Sequence, residues 1–288
     1  MRLYICGLQK SKKELMSFNF FQRYVYQTEN YPAILRYLAR IYLHLIPIKV
    51  RGAWFYINPR DTSVAIQLFS RTYEVYSTYV FSKLLRGGMV VCDIGAHVGL
   101  YTIIAAKSVG AGGKVYSFEP EPDNYKFLLK NIKLNQCSNI HPFQLAITEK
   151  SGKVKLYLSE NSQDHRLIDF KRNRKDFIKV SQDSLDNIIS DQRVDLIKID
   201  VQGVEESCIE GMRKIINKNK NLMMIVEFWP EGLMLARTNP LSFLKKLSKE
   251  FKIYLLDEIK MKTEIINDFS KLLNHAMKVG YVNLLCKK

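Results

Sequence analysis

From residue 89 onward, short apolar runs alternate with longer segments whose apolar positions recur every three to four residues. The runs "MVVCDI" (89–94), "KVYSFEP" (114–120), "IHPFQLAIT" (140–148), "VDLIKIDVQG" (194–203) and "NLMMIVEFWP" (221–230) read as buried strands. Between them, "GLYTIIAAKSV" (99–109), "PDNYKFLLKNIKLN" (122–135) and "VEESCIEGMRKIINKN" (204–219) read as helices. Such alternation predicts a mostly parallel sheet with helices on both faces. The rhythm pauses over 152–189, where "GKVKLYLSE", a charged tract and "FIKVSQDSLDNII" predict a strand insertion followed by a helix. Residues 240–250, 251–258 and 280–288 add a last helix and two last strands, for an expected seven-stranded sheet.

Upstream the pattern is different. Residues 1–60 predict a helical preface that ends in a strand pair around "KVRGAWFYINPRD" (49–61). Helices follow at 62–70 and 73–85, the second closed by Gly87 and Gly88. This divides the chain into an extension, 1–71, and a main domain, 72–288, with no repeat or linker between them. "YPAILRYLARIYLHLIPIKV" (31–50) mixes aromatic, leucine-type and basic residues at helical spacing up to Pro47. It predicts a helix packed on the body, with peripheral membrane contact as the alternative.

Composition narrows the classes. At 288 residues, 47% hydrophobic and 25% charged, the chain can bury a substantial core. No apolar run is long enough to span a bilayer, and the first residues lack the hydrophobic centre of a secretory signal. Five scattered cysteines without a CxxC pair argue against a disulfide framework or a zinc knuckle. A reducing, cytoplasmic setting is the expectation. The net charge of +16 favours acidic partners, although much of it is spread singly, as at Lys126, Lys130 and Lys133.

The chemistry concentrates in "VVCDIGAHVGLYTIIAA" (90–106), a strand, a glycine turn and a helix. A dinucleotide fingerprint wants a middle glycine where the backbone meets a pyrophosphate, and His97 stands there instead. A P-loop ending is absent as well. Asp93, just before Gly95 and Gly99, disfavours an anion and suits a ligand bearing an ammonium group. Glu119 ends the second strand about twenty residues beyond the turn, where an acidic residue accepts ribose hydroxyls. Together these residues suit an adenosine-plus-amino-acid cofactor such as S-adenosyl-L-methionine. Taken singly, the glycines are turn geometry, Asp93 a helix cap and Glu119 a strand-end charge.

The ordered runs "VVCDIGAHVGLYT", "VYSFEPEPDNYKFLLKNIKLN", "LAITEKSGKVKLYLS", "LIKIDVQGVEESCIEGM" and "MIVEF" resemble the FkbM family of methyltransferases, over residues from about 72 to the C-terminus. The resemblance implies a class I Rossmann-like fold, S-adenosyl-L-methionine as donor, and O-methylation of a sugar, glycan or polyketide-like acceptor. The family usually carries Asn at position 97 and Glu at position 202, where this chain has His97 and Gln202. Gln202 removes an acidic group from the acceptor side. By resemblance, Glu74 in "RTYE" contacts the cofactor's methionine end; an exposed helix charge is the alternative. Ala146 is a candidate for the adenine side, with a small core residue as the alternative.

Parallel sheets hold ligands at the carboxyl ends of their strands, where Asp200 and Glu227 should be neighbours. Asp200 is the candidate base or orienting group for an alcohol, with Glu227 and Glu205 shaping the acceptor pocket. Asp200 and Glu205 read alternatively as helix-start charges, and Glu227 as the partner of an Arg or Lys. A Mg²⁺ on Asp200 and Glu227 would lack a third carboxylate, so no metal is expected. The acceptor expected is a small molecule or glycan, including acidic or lipid-linked ones, and no specific nucleic acid. His141, His165 and His275 share no spacing and read as surface or structural residues rather than metal ligands, and "DFKRNRKD" (169–176) reads as a solvated loop, with a grip on an acidic acceptor such as a phosphorylated glycan as the alternative. The rival readings are a nicotinamide-dependent oxidoreductase, a nucleic-acid methyltransferase or RNA-binding protein, and a silent binder.

Overall fold

The computed structural model describes residues 46–58, 73–159, 165–169, 176–189 and 193–288. The preface helices, the helix expected at 62–70, most of the 31–50 segment and the boundary at 71/72 lie outside the described residues. The expected strand pair is present as β1 (Ile48–Val50) and β2 (Ala53–Phe55), antiparallel about Arg51 and Gly52. Both turn residues have positive φ, the geometry that matches the twist of a two-residue hairpin. Alternation buries Ile48, Val50, Ala53 and Phe55 against the body and turns Lys49 and Trp54 outward.

Helix α1 (Val75–Leu84) leads to β3 (Val90–Ile94), α2 (Leu100–Val109), β4 (Lys114–Phe118), α3 (Pro122–Leu134) and β5 (Ile140–Phe143). Helix α2 is buried on nearly every side because the sheet, α1 and the β1–β2 hairpin all pack on it, so its sequence is apolar all round. Helix α3 starts where Glu121 accepts the Asn124 N–H and Pro122 fills the first turn.

The third expected strand, 140–148, is in fact two. β5 ends at Phe143, and β6 (Ala146–Ile147) belongs to a second sheet with β7 (Gly152–Tyr157) and β8 (Phe177–Asp183), in the order β6-β8-β7. Pro142 lacks an N–H, which suits β5 to the sheet edge that it forms. The short helix α4 (Leu185–Ile188) returns the chain to β9 (Leu196–Ile199).

The helix expected over 204–219 is likewise broken, into α5 (Glu205–Glu210) and α6 (Arg213–Lys218). At the break, a Cβ on Gly211 would stand 2.1 Å from the Thr148 carbonyl oxygen, so only glycine lets the insertion pack there. Then come β10 (Met223–Phe228), α7 (Pro230–Leu235), α8 (Pro240–Ser248), β11 (Lys252–Asp257), β12 (Lys262–Ile265), α9 (Phe269–Val279) and β13 (Val282–Lys287). The main sheet has the order β12-β11-β13-β10-β9-β3-β4-β5. It has eight strands, one more than expected. β12 is a largely exposed edge strand without apolar alternation, so no pattern announced it. Helix α9, with Leu272 and Ala276 buried one turn apart, was also not anticipated.

β5, β4, β3, β9, β10 and β11 run in one direction, with β13 antiparallel between β10 and β11. This is the class I methyltransferase arrangement that the resemblance implies. Chain order reverses between β3 and β9, which opens a crevice at their carboxyl ends. No described helix is long and apolar enough to cross a membrane.

Candidate functional site

A cavity of about 410 Å³ lies in that crevice, the size of a small-molecule site. Glu74, Asp93, Gly95, His97, Glu119, Ala146, Asp200 and Glu227 all line it. Eight of the ten residues proposed from the sequence therefore meet at one place. Gly99 and Glu205 do not reach the wall. Gly99, with φ of 92°, starts helix α2.

On the wall formed by β3 and β4, the glycine turn spends its own backbone donors. The N–H groups of Gly95 and Ala96 both go to the Phe118 carbonyl at 2.9 Å, and that of Gly99 goes to Ala96 at 2.8 Å. The His97 N–H donates to Glu119 Oε2 at 2.8 Å. A pyrophosphate would need such donors, and these four are occupied. His97 has φ of 51°, a left-handed conformation in which Asn and His are both enriched, so histidine fits where the family usually has asparagine. A Cβ on Gly95 would stand 1.9 Å from the Asp200 carbonyl oxygen, so this glycine brings the ends of β3 and β9 into contact. Glu119 also accepts the Glu121 N–H at 2.9 Å. Burial pushes its carboxyl up to about 7, with the His97 side chain and both N–H groups opposing. Asp93 accepts from Thr102 Oγ1 at 2.5 Å, and burial raises it to about 6.

On the opposite wall, Lys198 is 1% exposed in the middle of the apolar strand β9. Its Nζ lies 3.6 Å from Asp200 Oδ2 and 3.4 Å from Asn283 Oδ1. Asn283 donates to Glu74 Oε1 at 2.7 Å, and the Tyr101 hydroxyl to Glu74 Oε2 at 2.6 Å. Gln202 Nε2 bridges Asp200 Oδ1 at 2.9 Å and Glu227 Oε2 at 3.1 Å. One ammonium thus connects two carboxylate networks. Burial opposes its charge, but Asp200, Glu74, Glu227 and Asp93 more than offset this and hold the lysine above its ordinary pKa. Burial and then the charge of Asp200 push the Glu227 carboxyl well above the usual carboxylate range, with Lys198 opposing.

The pocket-shaping role expected of Glu205 is corrected. Its side chain is buried in the first turn of α5, where Oε1 accepts the Gly203 N–H at 3.0 Å and Oε2 meets no partner. It supports the loop carrying Gln202 from behind. His165, read as surface or structural, and Arg166, in the charged tract between the two insertion strands, both line the cavity. The Arg166 guanidinium lies 4.2 Å from the Trp229 ring centre. Sequence reasoning missed Lys198, Tyr101, Asn283, Arg166 and Trp229. Only Lys198 left a signal, a lone charge inside "LIKI". Among the described residues no group of three or more His, Cys, Asp or Glu could hold a metal ion.

These burials make stability depend on pH. Asp93, Glu119 and Glu205 titrate at about 6, 7 and 7 when folded, above their ordinary values, so the folded state binds more protons than the unfolded one. Their contribution is complete below the unfolded pKa near 4 and is lost as pH rises through 6 to 7. Acids with lowered pKa, such as Asp183 and Asp268, complete their change below this window. Urea unfolding should show stability falling by at least about 2 kcal/mol between pH 5 and 7.5. Glu205→Gln, which keeps an acceptor for Gly203, should flatten that slope. A flat wild-type profile would contradict the assignment.

Residues 93–235 match the model of the methyltransferase FkbM domain. A 90-residue stretch is 31% identical to the catalytic subunit of tRNA (adenine(58)-N(1))-methyltransferase of Yarrowia lipolytica, covering 30% of this chain and 23% of that protein. A 55-residue stretch is 38% identical to tRNA (guanine(37)-N(1))-methyltransferase 1 of Phaeodactylum tricornutum, covering 18% of this chain and 13% of that protein. The chain therefore spans less than a quarter of the length of either relative. M. jannaschii TYW2, solved in complex with AdoMet, aligns over 84% of this chain and 83% of its own at 14% identity, with a TM-score of 0.44. By the motifs in its sequence and the match across β3 to α7, residues 93–235 of the chain are a methyltransferase FkbM domain.

Proposed function

We propose that the protein transfers a methyl group from S-adenosyl-L-methionine to a hydroxyl of a saccharide or related hydroxylated molecule. The observation that carries this reading is a single cavity with Asp93 and Glu119 on one wall and Asp200 and Glu227 on the other. The donor set suits that cofactor: buried carboxylates favour an ammonium, a sulfonium and a ribose diol, and the occupied N–H groups of the turn disfavour a diphosphate. This counts equally against the nicotinamide reading.

When bound, the cofactor supplies an electrophilic methyl group on a cationic sulfur. Glu119 holds the ribose hydroxyls, while Asp93 and Glu74 face the ammonium end. Asp200, whose side chain is 19% exposed, accepts the proton of the acceptor hydroxyl. Glu227, through Gln202, fixes the direction of the Asp200 carboxylate. Lys198 keeps Asp200 and Glu74 aligned from below.

Purified protein with tritiated donor should label hydroxylated acceptors from a saccharide extract. Asp200→Asn should lower kcat by about 100-fold with unchanged affinity for S-adenosylhomocysteine. A variant with wild-type kcat would remove Asp200 from the chemistry. The second reading, methylation of a nucleic-acid base, is favoured by the two tRNA methyltransferase relatives and the net charge of +16. Label appearing in transcribed tRNA and in no saccharide would establish it instead.

A further inference from the structure

The insertion carries a surface that methyl transfer within the cavity does not use. Strands β7 and β8 pair with Lys153 opposite Ser181, Lys155 opposite Lys179 and Tyr157 opposite Phe177. Alternation sends Val154, Leu156, Ile178 and Val180 into a small core, and Leu156 reaches the cavity wall. Lys153, Lys155, Tyr157, Phe177 and Lys179 form the outer face. Like charges directly opposed across an antiparallel pair destabilise it. Lys155 and Lys179 are so opposed, and among the described residues neither meets a carboxylate. Lys155 Nζ lies 4.3 Å from the Phe177 ring centre, and Lys153 donates to Ser181 at 2.8 Å. Asp183, on the same side of β8, is at the far end and is held by Ser151 and Asn187. Protection of an edge strand would explain lysines on β7, but Lys179 stands on the middle strand of three.

The face leads to the cavity mouth. Tyr157 and Arg166 exchange backbone hydrogen bonds at 2.7 and 3.1 Å, and Arg166 overlies Trp229 on the cavity wall.

We propose that this outer face binds the anionic groups of an acidic saccharide chain whose methylated unit enters the cavity past Arg166 and Trp229. The proposal rests on the saccharide reading above and narrows its acceptor to a polymer bearing carboxylates or phosphates. A bound anion turns the Lys155–Lys179 repulsion into attraction. RNA is the weaker partner, because Lys155 covers the Phe177 ring on which a base would stack. A lipid surface would want aliphatic side chains beside the lysines, and this face presents none.

The test uses the full chain at 0.15 M salt with an alginate hexasaccharide, neutral maltohexaose, hexauridylate and phosphatidylglycerol vesicles. The wild type is compared with Lys155→Gln/Lys179→Gln and with Lys245→Gln/Lys278→Gln, which removes the same charge elsewhere. The expected result is alginate binding weakened at least about tenfold in the first variant and less than about twofold in the second, without maltohexaose binding. Because the first variant also relieves repulsion, its Tm should rise by about 1–3 °C, which guards against misfolding. Equal weakening in both variants, absence of alginate binding, or tighter binding of hexauridylate or vesicles through the same lysines would overturn the proposal. S-adenosylhomocysteine is titrated alongside. Its binding without alginate binding sinks this proposal alone, and the converse sinks the methyl-transfer reading.

Discussion

Replacing Glu119 with alanine is expected to weaken S-adenosylhomocysteine binding by about 100-fold or more. Two losses combine. The ribose hydroxyls lose a charged acceptor, each such bond contributing about 1.5–3 kcal/mol. The His97 and Glu121 N–H groups lose the carboxylate that orients them, so the glycine turn loosens where the ligand enters. Isothermal titration gives the affinity, and near-ultraviolet circular dichroism checks that the fold survives. Glu119→Gln should be intermediate, because its amide keeps an acceptor for one N–H and turns a donor toward the other. An alanine variant with wild-type affinity would remove Glu119 from the cofactor site and leave it a turn support.

The second large effect is at Lys198. Lys198→Met removes the ammonium that four carboxylates share and leaves their charges buried without a partner, the situation in which breaking a buried pair costs about 3–5 kcal/mol. For a domain of this size the expected fall in Tm is about 6–15 °C at pH 7.5. The sign of its pH dependence is distinctive. Glu74 and Glu227 take up protons at unusually high pH, Glu74 through burial partly offset by Lys198. At pH 5 more of the uncompensated charge is neutralised, and the deficit should shrink. Differential scanning calorimetry at both pH values decides. A Tm within about 2 °C of wild type at pH 7.5 would show that Lys198 is not needed to balance the cluster.

The alternation of strands and helices from residue 89 to 230 was legible because a sheet covered on both faces demands continuous apolar strands, and helices packed on it demand a 3.6-residue period. Asp93, Glu119, Asp200 and Glu227 were legible for a related reason. A parallel sheet places its strand ends on one side, so a carboxylate ending each of several strands converges there without any tertiary information. Even His97 and Gln202, departures from the family pattern, could be picked out from their positions alone.

Other features had no one-dimensional trace. The split of 140–148 between two sheets, the break at Gly211 and the polar edge strand β12 come from contacts between segments distant in sequence, as the Gly211–Thr148 approach shows. The cation of the site was hidden in an apolar strand. Lys198 and Asn283 are 85 residues apart, and only the pairing of β13 with β10 brings Asn283 within reach of Glu74 and Lys198. Arg166 reaches the mouth because β7 bridges to it through Tyr157, a pairing that the charged tract around it does not announce. The sequence by itself determined which strand ends carry acid and that they face one crevice, since chain direction and side-chain alternation are local properties. The charge balance inside that crevice, and the basic face beside its mouth, were decided by the tertiary structure, because electrostatic energy depends on distances through space that spacing along the chain does not encode.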